Sequence, residues 1–170
     1  MVGVMASMEA CIPSLRRYAR ALLRDRDQVD DLVHDVIVRA LDQLHTRRED
    51  GDLRAWLFAI MHNLFISRVR RNKRRGPLVS LDEAGDDRFG MPATQDGHML
   101  GRDLLRALDA LNEEQRSVLL LVTVEDLSYA EVARVLDIPI GTVMSRLSRA
   151  RDRLRGLMEG EAPTAIRRVK

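Results

Sequence analysis

The chain has 170 residues, with 28 Lys and Arg against 26 Asp and Glu and a formal net charge of +2, so it is not a uniformly basic nucleic-acid coat. A hydrophobic content of 45% is enough for packed cores and excludes global disorder. The single cysteine, Cys11, excludes an internal disulfide and reads as a small buried hydrophobe, and no apolar run approaches the roughly 18 residues needed to span a bilayer.

From about Met8 to Arg75 the pattern is helical. Ile12, Leu15, Tyr18, Ala19 and Leu22 form a first apolar stripe. Val29, Leu32, Val33, Val36, Ile37, Ala40, Leu41 and Leu44 form a second at three-four spacing, with Asp27 placed to cap it. Acid gathers around this helix, at Asp25, Asp27, Asp30, Asp31 and Asp35. A polar break at 45–52 follows, and Asp52 is placed to cap a third helix with the stripe Trp56, Leu57, Ile60, Met61, Leu64 and Phe65. That helix, or a short successor, runs into a basic cluster of Arg68, Arg70, Arg71, Lys73, Arg74 and Arg75. Trp56 and Phe65, on the apolar stripe, are expected to pack the core rather than stack on bases.

Five of the ten glycines fall between 76 and 101, with Pro77, Pro92 and few apolar residues, which predicts a flexible linker. A loop of this length favours two tethered domains over one compact unit. Periodicity returns with Leu104, Leu105, Leu108 and Leu111, then with a helix capped by Asn112 and carrying Val118, Leu119, Leu121 and Val122. Ser128 with Glu131 three residues later makes a capping box. Ala130, Ala133, Val135 and Leu136 give the helix it opens a small apolar face, and Asp137-Ile138-Pro139 ends it. In the following helix Val143, Leu147, Ala150 and Leu154 share one stripe, and Thr142, Ser145, Arg146, Ser148, Arg149 and Arg153 face the other way. This is a helix-turn-helix whose second helix carries the donors needed for guanine edges and phosphate oxygens in a major groove.

The expected fold class is therefore all-α, with two small helical domains at 8–75 and 103–158, a linker at 76–102 and a basic tail at 159–170. Separated acidic and basic patches suggest one surface for nucleic acid and another for a basic protein partner. No Gly-rich phosphate loop, nucleophile–base pair or metal-ligand cluster is legible, so neither an enzyme nor a cofactor or metal is expected. Asp31 and His34 have metal-compatible spacing but no further ligands nearby. No signal peptide is seen, so a cytoplasmic location without direct membrane insertion is expected.

Four segments in order resemble extracytoplasmic-function (ECF) sigma factors, the smallest type of bacterial RNA polymerase specificity subunit. They are Asp30-Asp31-Leu32-Val33-His34-Asp35-Val36; Leu53-Arg54-Ala55-Trp56-Leu57-Phe58-Ala59-Ile60 with Asn63; Leu111-Asn112-Glu113-Glu114-Gln115-Arg116; and Tyr129-Ala130-Glu131-Val132-Ala133 with Ile140-Gly141-Thr142-Val143 and Ser145-Arg146. The resemblance implies that Asp30, Asp31 and Asp35 dock on a coiled coil of the polymerase largest subunit. His34, where the family usually has glutamine, keeps hydrogen-bonding ability on the same surface. It implies a −10 pocket for an extruded base lined by His62, Asn63, Ser67 and Arg68, with Arg70, Arg71, Lys73, Arg74 and Arg75 continuing a cationic track. It implies a −35 reading helix with Thr142, Met144, Ser145, Arg146, Ser148 and Arg149 exposed. Arg149 is the expected guanine contact, and Arg146 and Arg153 the expected phosphate contacts. It also implies an anti-sigma partner around which the two domains close. The rival is a stand-alone helix-turn-helix regulator, which accounts for 103–157 but not for the first domain.

Overall fold

The computed structural model describes residues 2–23, 25–47, 51–75 and 104–159. Their regular elements are all helices, without a strand among the described residues: α1 Val2–Leu22, α2 Arg26–Asp42, a 3-10 turn Leu44–Thr46, α3 Leu53–Arg75, α4 at 104–109, α5 Glu113–Thr123, α6 Tyr129–Leu136 and α7 Ile140–Met158. The linker at 76–102, the basic tail beyond 159, and the side chain of Arg75 lie outside the described residues.

Helix starts follow local chemistry. Asp52 accepts the Arg54 amide at 2.8 Å, as its position before a helical stripe predicts. Asn112 accepts the Gln115 amide at 2.8 Å. Ser128 and Glu131 form the reciprocal capping box, with the Ser128 amide donating to Glu131 at 2.7 Å. These hydrogen bonds hold the Glu131 carboxyl below its ordinary pKa. At α2 the cap is Asp25, not Asp27. Asp25 has the extended backbone a cap requires (ψ 130°) and accepts the Asp27 amide at 2.9 Å. Asp27 sits in the first turn, where its charge meets the positive end of the helix dipole.

α1 begins before the expected boundary at Met8, and Pro13 within it is exposed and forgoes one backbone hydrogen bond. α3 is one unbroken helix, with no separate successor before Arg75. The stripes are buried as the periodicity predicts at Leu15, Tyr18, Leu32, Val36, Leu57, Met61, Val143 and Leu147. Two assignments differ. Leu41, expected on the buried stripe of α2, is 42% exposed. Ala130, expected on the apolar face of α6, is exposed, while Val132 is fully buried there.

α1, α2 and α3 pack on one another, and α5, α6 and α7 do the same. The halves also meet: α1 lies against α5 and α3 against α6, so buried residues of both belong to one continuous apolar cluster. At its centre the Tyr18 and Phe58 rings meet edge to face with centroids 5.4 Å apart, and the Arg54 guanidinium lies 5.4 Å from the Phe58 centroid.

Candidate nucleic-acid interface

The geometry of the recognition helix begins at Asp137. This residue ends α6 in the left-handed region (φ 53°), where aspartate is among the few side chains tolerated. Its amide and that of Ile138 close on carbonyls of the last turn of α6. Pro139 then stands before α7, and its carbonyl accepts the Thr142 and Val143 amides. The turn between the helices is thus three residues, and it aims α7 across α5 and α6.

Val143, Leu147 and Ala150 anchor α7 in the core. Met144, Ser145, Ser148, Arg149 and Arg153 are exposed, while Thr142 and Arg146 are half-buried. The Ser145 hydroxyl donates to the Thr142 carbonyl at 3.1 Å. Arg146 is ion-paired with Glu114 of α5 at 2.8 Å and its side chain is only 24% exposed. Arg149 and Arg153 make no ion pair among the described residues and present their guanidinium groups to solvent.

The basic end of α3 is a second cationic surface. Asn63, Ser67, Arg70, Arg71, Lys73 and Arg74 are exposed. The Ser67 hydroxyl donates to the Asn63 carbonyl at 2.8 Å. Two of the basic groups are engaged: Arg68 donates to Asp35 of α2 and lies 3.3 Å from the Gln28 carbonyl, and Lys73 pairs with Glu113 at 3.1 Å. His62 differs from its neighbours. It is half-buried with Nδ1 unpartnered, and burial, with the nearby Arg146 charge second, pushes its pKa down to about 4. His62 and Arg146, expected at different promoter elements, are therefore brought together where α3 meets the second half.

On α2, Asp30, Asp31, His34 and Asp35 are all exposed. Asp30 pairs with Arg16 at 3.1 Å and Asp35 with Arg68. Asp31, Asp35, Val38 and Leu41 follow one another at spacings of four, three and three, and His34 lies between Asp31 and Val38 at three and four. The acidic ridge therefore continues into an exposed apolar strip, Val38 (52%) and Leu41. The alternation of charge and apolar exposure on α2 signals this strip, although periodicity alone assigns Leu41 to the core. Among the described residues no group of three or more His, Cys, Asp or Glu is placed to hold a metal. Cys11 is half-buried, and burial pushes its thiol pKa up. No described helix is long and apolar enough to cross a membrane.

Residues 101–154 match the family described as Sigma-70, region 4, and residues 8–62 match the Sigma2 domain of PhyR. The chain is 36% identical over 149 residues to the ECF RNA polymerase sigma factor EcfG of Rhodopseudomonas palustris, covering 88% of this chain and 81% of that one. It is 32% identical over 146 residues to the ECF sigma factor SigE of Mycolicibacterium smegmatis, covering 82% of this chain and 55% of that longer one. Among solved structures it resembles the sigma factor RpoE of Bartonella quintana, crystallised with the anti-sigma factor NepR, with a TM-score of 0.79, 28% identity and coverage of 95% and 100% of the two chains. A helix-turn-helix half, a preceding three-helix half and identity across both place this chain in the family of ECF RNA polymerase sigma factors.

Proposed function

We propose that the chain is a non-enzymatic cytoplasmic subunit that directs core RNA polymerase to specific promoters and is held in check by an anti-sigma protein. Membership of the ECF family, together with an exposed arginine face on the second helix of a helix-turn-helix, carries this reading. In it the 103–158 domain reads the −35 element. Arg149 contacts a guanine edge, Arg146 and Arg153 hold phosphates, and Thr142, Met144, Ser145 and Ser148 complete the groove face. The 8–75 domain binds the −10 strand along Arg68, Arg70, Arg71, Lys73, Arg74 and Arg75. An extruded base is received near His62, Asn63 and Ser67. The ridge of Asp30, Asp31, His34 and Asp35 docks on a coiled coil of the polymerase largest subunit, and its apolar continuation at Val38 and Leu41 supplies the contact area that charge alone does not. The likeness to RpoE in its complex with NepR supports an anti-sigma partner.

Run-off transcription with purified core polymerase on a promoter library tests the reading. New specific transcripts that need both core and this protein are the expected result, and their aligned starts define both elements. Duplex binding without core-dependent transcription would instead make the protein a stand-alone regulator.

A further inference from the structure

Glu125 is the one buried acid among the described residues. It lies in the short connection between α5 and α6, and its side chain is 0% exposed. Its partners all come from the other half of the molecule. Arg17 of α1 donates through Nε to Oε1 and through Nη2 to Oε2, both at 2.9 Å. Arg54 of α3 donates through Nη2 to Oε2 at 2.9 Å and to the Glu125 carbonyl at 2.7 Å. The two-pronged Arg17 contact is the strong, directional kind, and the Glu125 bond raises the Arg17 pKa further.

The two sides of this contact differ in what they lose when it breaks. Arg17 and Arg54 are 46% and 33% exposed and can be hydrated in place. A buried carboxylate without its partners cannot be, so Glu125 must leave with its loop if the guanidinium groups are lost. The same closed arrangement engages part of the promoter surface proposed above. Lys73 is paired across the halves with Glu113, and His62 is half-buried at the junction with the Arg146 charge nearby, while Arg146 itself is paired with Glu114 inside the second half. Opening the halves breaks the Lys73–Glu113 pair and uncovers His62, and it leaves the Arg146–Glu114 pair intact.

We infer that Glu125 is an intramolecular latch: seated between Arg17 and Arg54, it holds the two halves closed and withholds His62 and Lys73 from DNA until a partner pulls them apart. The withholding rests on the promoter reading, whereas the latch itself does not. Closure lowers apparent affinity by the fraction of molecules that are open, so a tenfold preference for the closed form weakens DNA binding about tenfold.

The test uses the full chain as Glu125→Gln and as the double variant Arg17→Gln/Arg54→Gln, with Arg20→Gln on the exposed side of α1 as control. Small-angle scattering reads the separation of the halves, and fluorescence anisotropy with a short labelled single-stranded DNA reads access to the α3 surface. Both latch variants are expected to enlarge relative to wild type with helical content kept, and Glu125→Gln to bind the strand about three- to tenfold more tightly. The control changes neither. Arg17→Gln alone, which leaves the buried residue untouched, replaces Glu125→Gln if that variant loses helical content. Unchanged dimensions in all latch variants would overturn the latch. Enlargement without tighter binding would overturn the withholding. Because scattering involves no DNA, failure of the latch is distinguishable from failure of the promoter reading, in which no form binds the strand.

Discussion

α3 and α7 have the same design and different availability. Each is a long helix with an apolar stripe in the core and arginines beyond it. On α3 two of the basic groups are already engaged, Arg68 by Asp35 and Lys73 by Glu113, while Arg70, Arg71 and Arg74 stand clear. On α7 Arg146, near the start, is tied down by Glu114 and Arg155, near the end, by Asp152, while Arg149 and Arg153 present open guanidinium groups. Helical spacing decides which face is basic. Ion pairs made with distant parts of the chain decide which of those charges a nucleic acid can reach first.

The largest expected effects concern whether the helices share one core. Phe58→Ala in the first half and Leu147→Ala in the second each remove a fully or nearly fully buried side chain and should cost about 3–5 and 2–5 kcal/mol. Followed by circular dichroism in denaturant, each is expected to lower a single common transition. Two separable transitions, each lowered by one substitution only, would mean that the halves fold independently and that the comparison between α3 and α7 is one between separate domains.

Next comes the difference between reading and holding. Arg149→Ala should lose about 1–3 kcal/mol of discrimination at one −35 position. Arg74→Ala should weaken binding to all sequences alike and lower the log–log salt slope by about 0.7 on single strands. Both are read by titrating promoter variants at several salt concentrations. A change of preferred −10 base in Arg74→Ala would remove the distinction.

Ser128→Ala removes the hydroxyl half of the capping box and should cost about 1 kcal/mol, measured by thermal melting. It would act on the frame of α7 without touching a DNA-facing group, so a larger loss of −35 affinity than of stability would show that the turn sets the aim of the helix.

A further effect is that of pH. The pKa of His62 falls from 6.5 to about 4 in the folded protein, so between these values the unfolded chain binds more protons. Stability is therefore expected to fall as pH drops from about 6.5 towards 4, and His62→Gln should flatten that window in denaturation curves. An unchanged pH profile would mean that His62 is not held where α3 meets the second half.

The helices of the described residues and the turn at Asp137 to Pro139 were legible in the sequence, because caps, proline and three-four spacing act over a few residues. The choice between Asp25 and Asp27 was not legible, since two aspartates two apart satisfy the same preference and backbone conformation decides. Leu41 was misplaced because a stripe wider than its neighbour leaves its edge in solvent. Among site residues, the exposed faces of α2 and α7 follow from spacing. The engagement of Arg68, Lys73, Arg146 and above all Glu125 does not. Glu125 meets Arg54 and Arg17 across 71 and 108 residues, in a loop with no pattern to flag it.

α3 runs 23 residues without glycine or proline, and from Arg54 to Arg74 it spans about 30 Å. It therefore behaves as a lever. One end sits against the connection between α5 and α6, and the other carries the free arginines. A tilt of about ten degrees at Arg54 would sweep Arg74 through roughly 5 Å, close to the rise of one helical turn. A small displacement at the buried end is thereby amplified into a change of register along a strand at the exposed end.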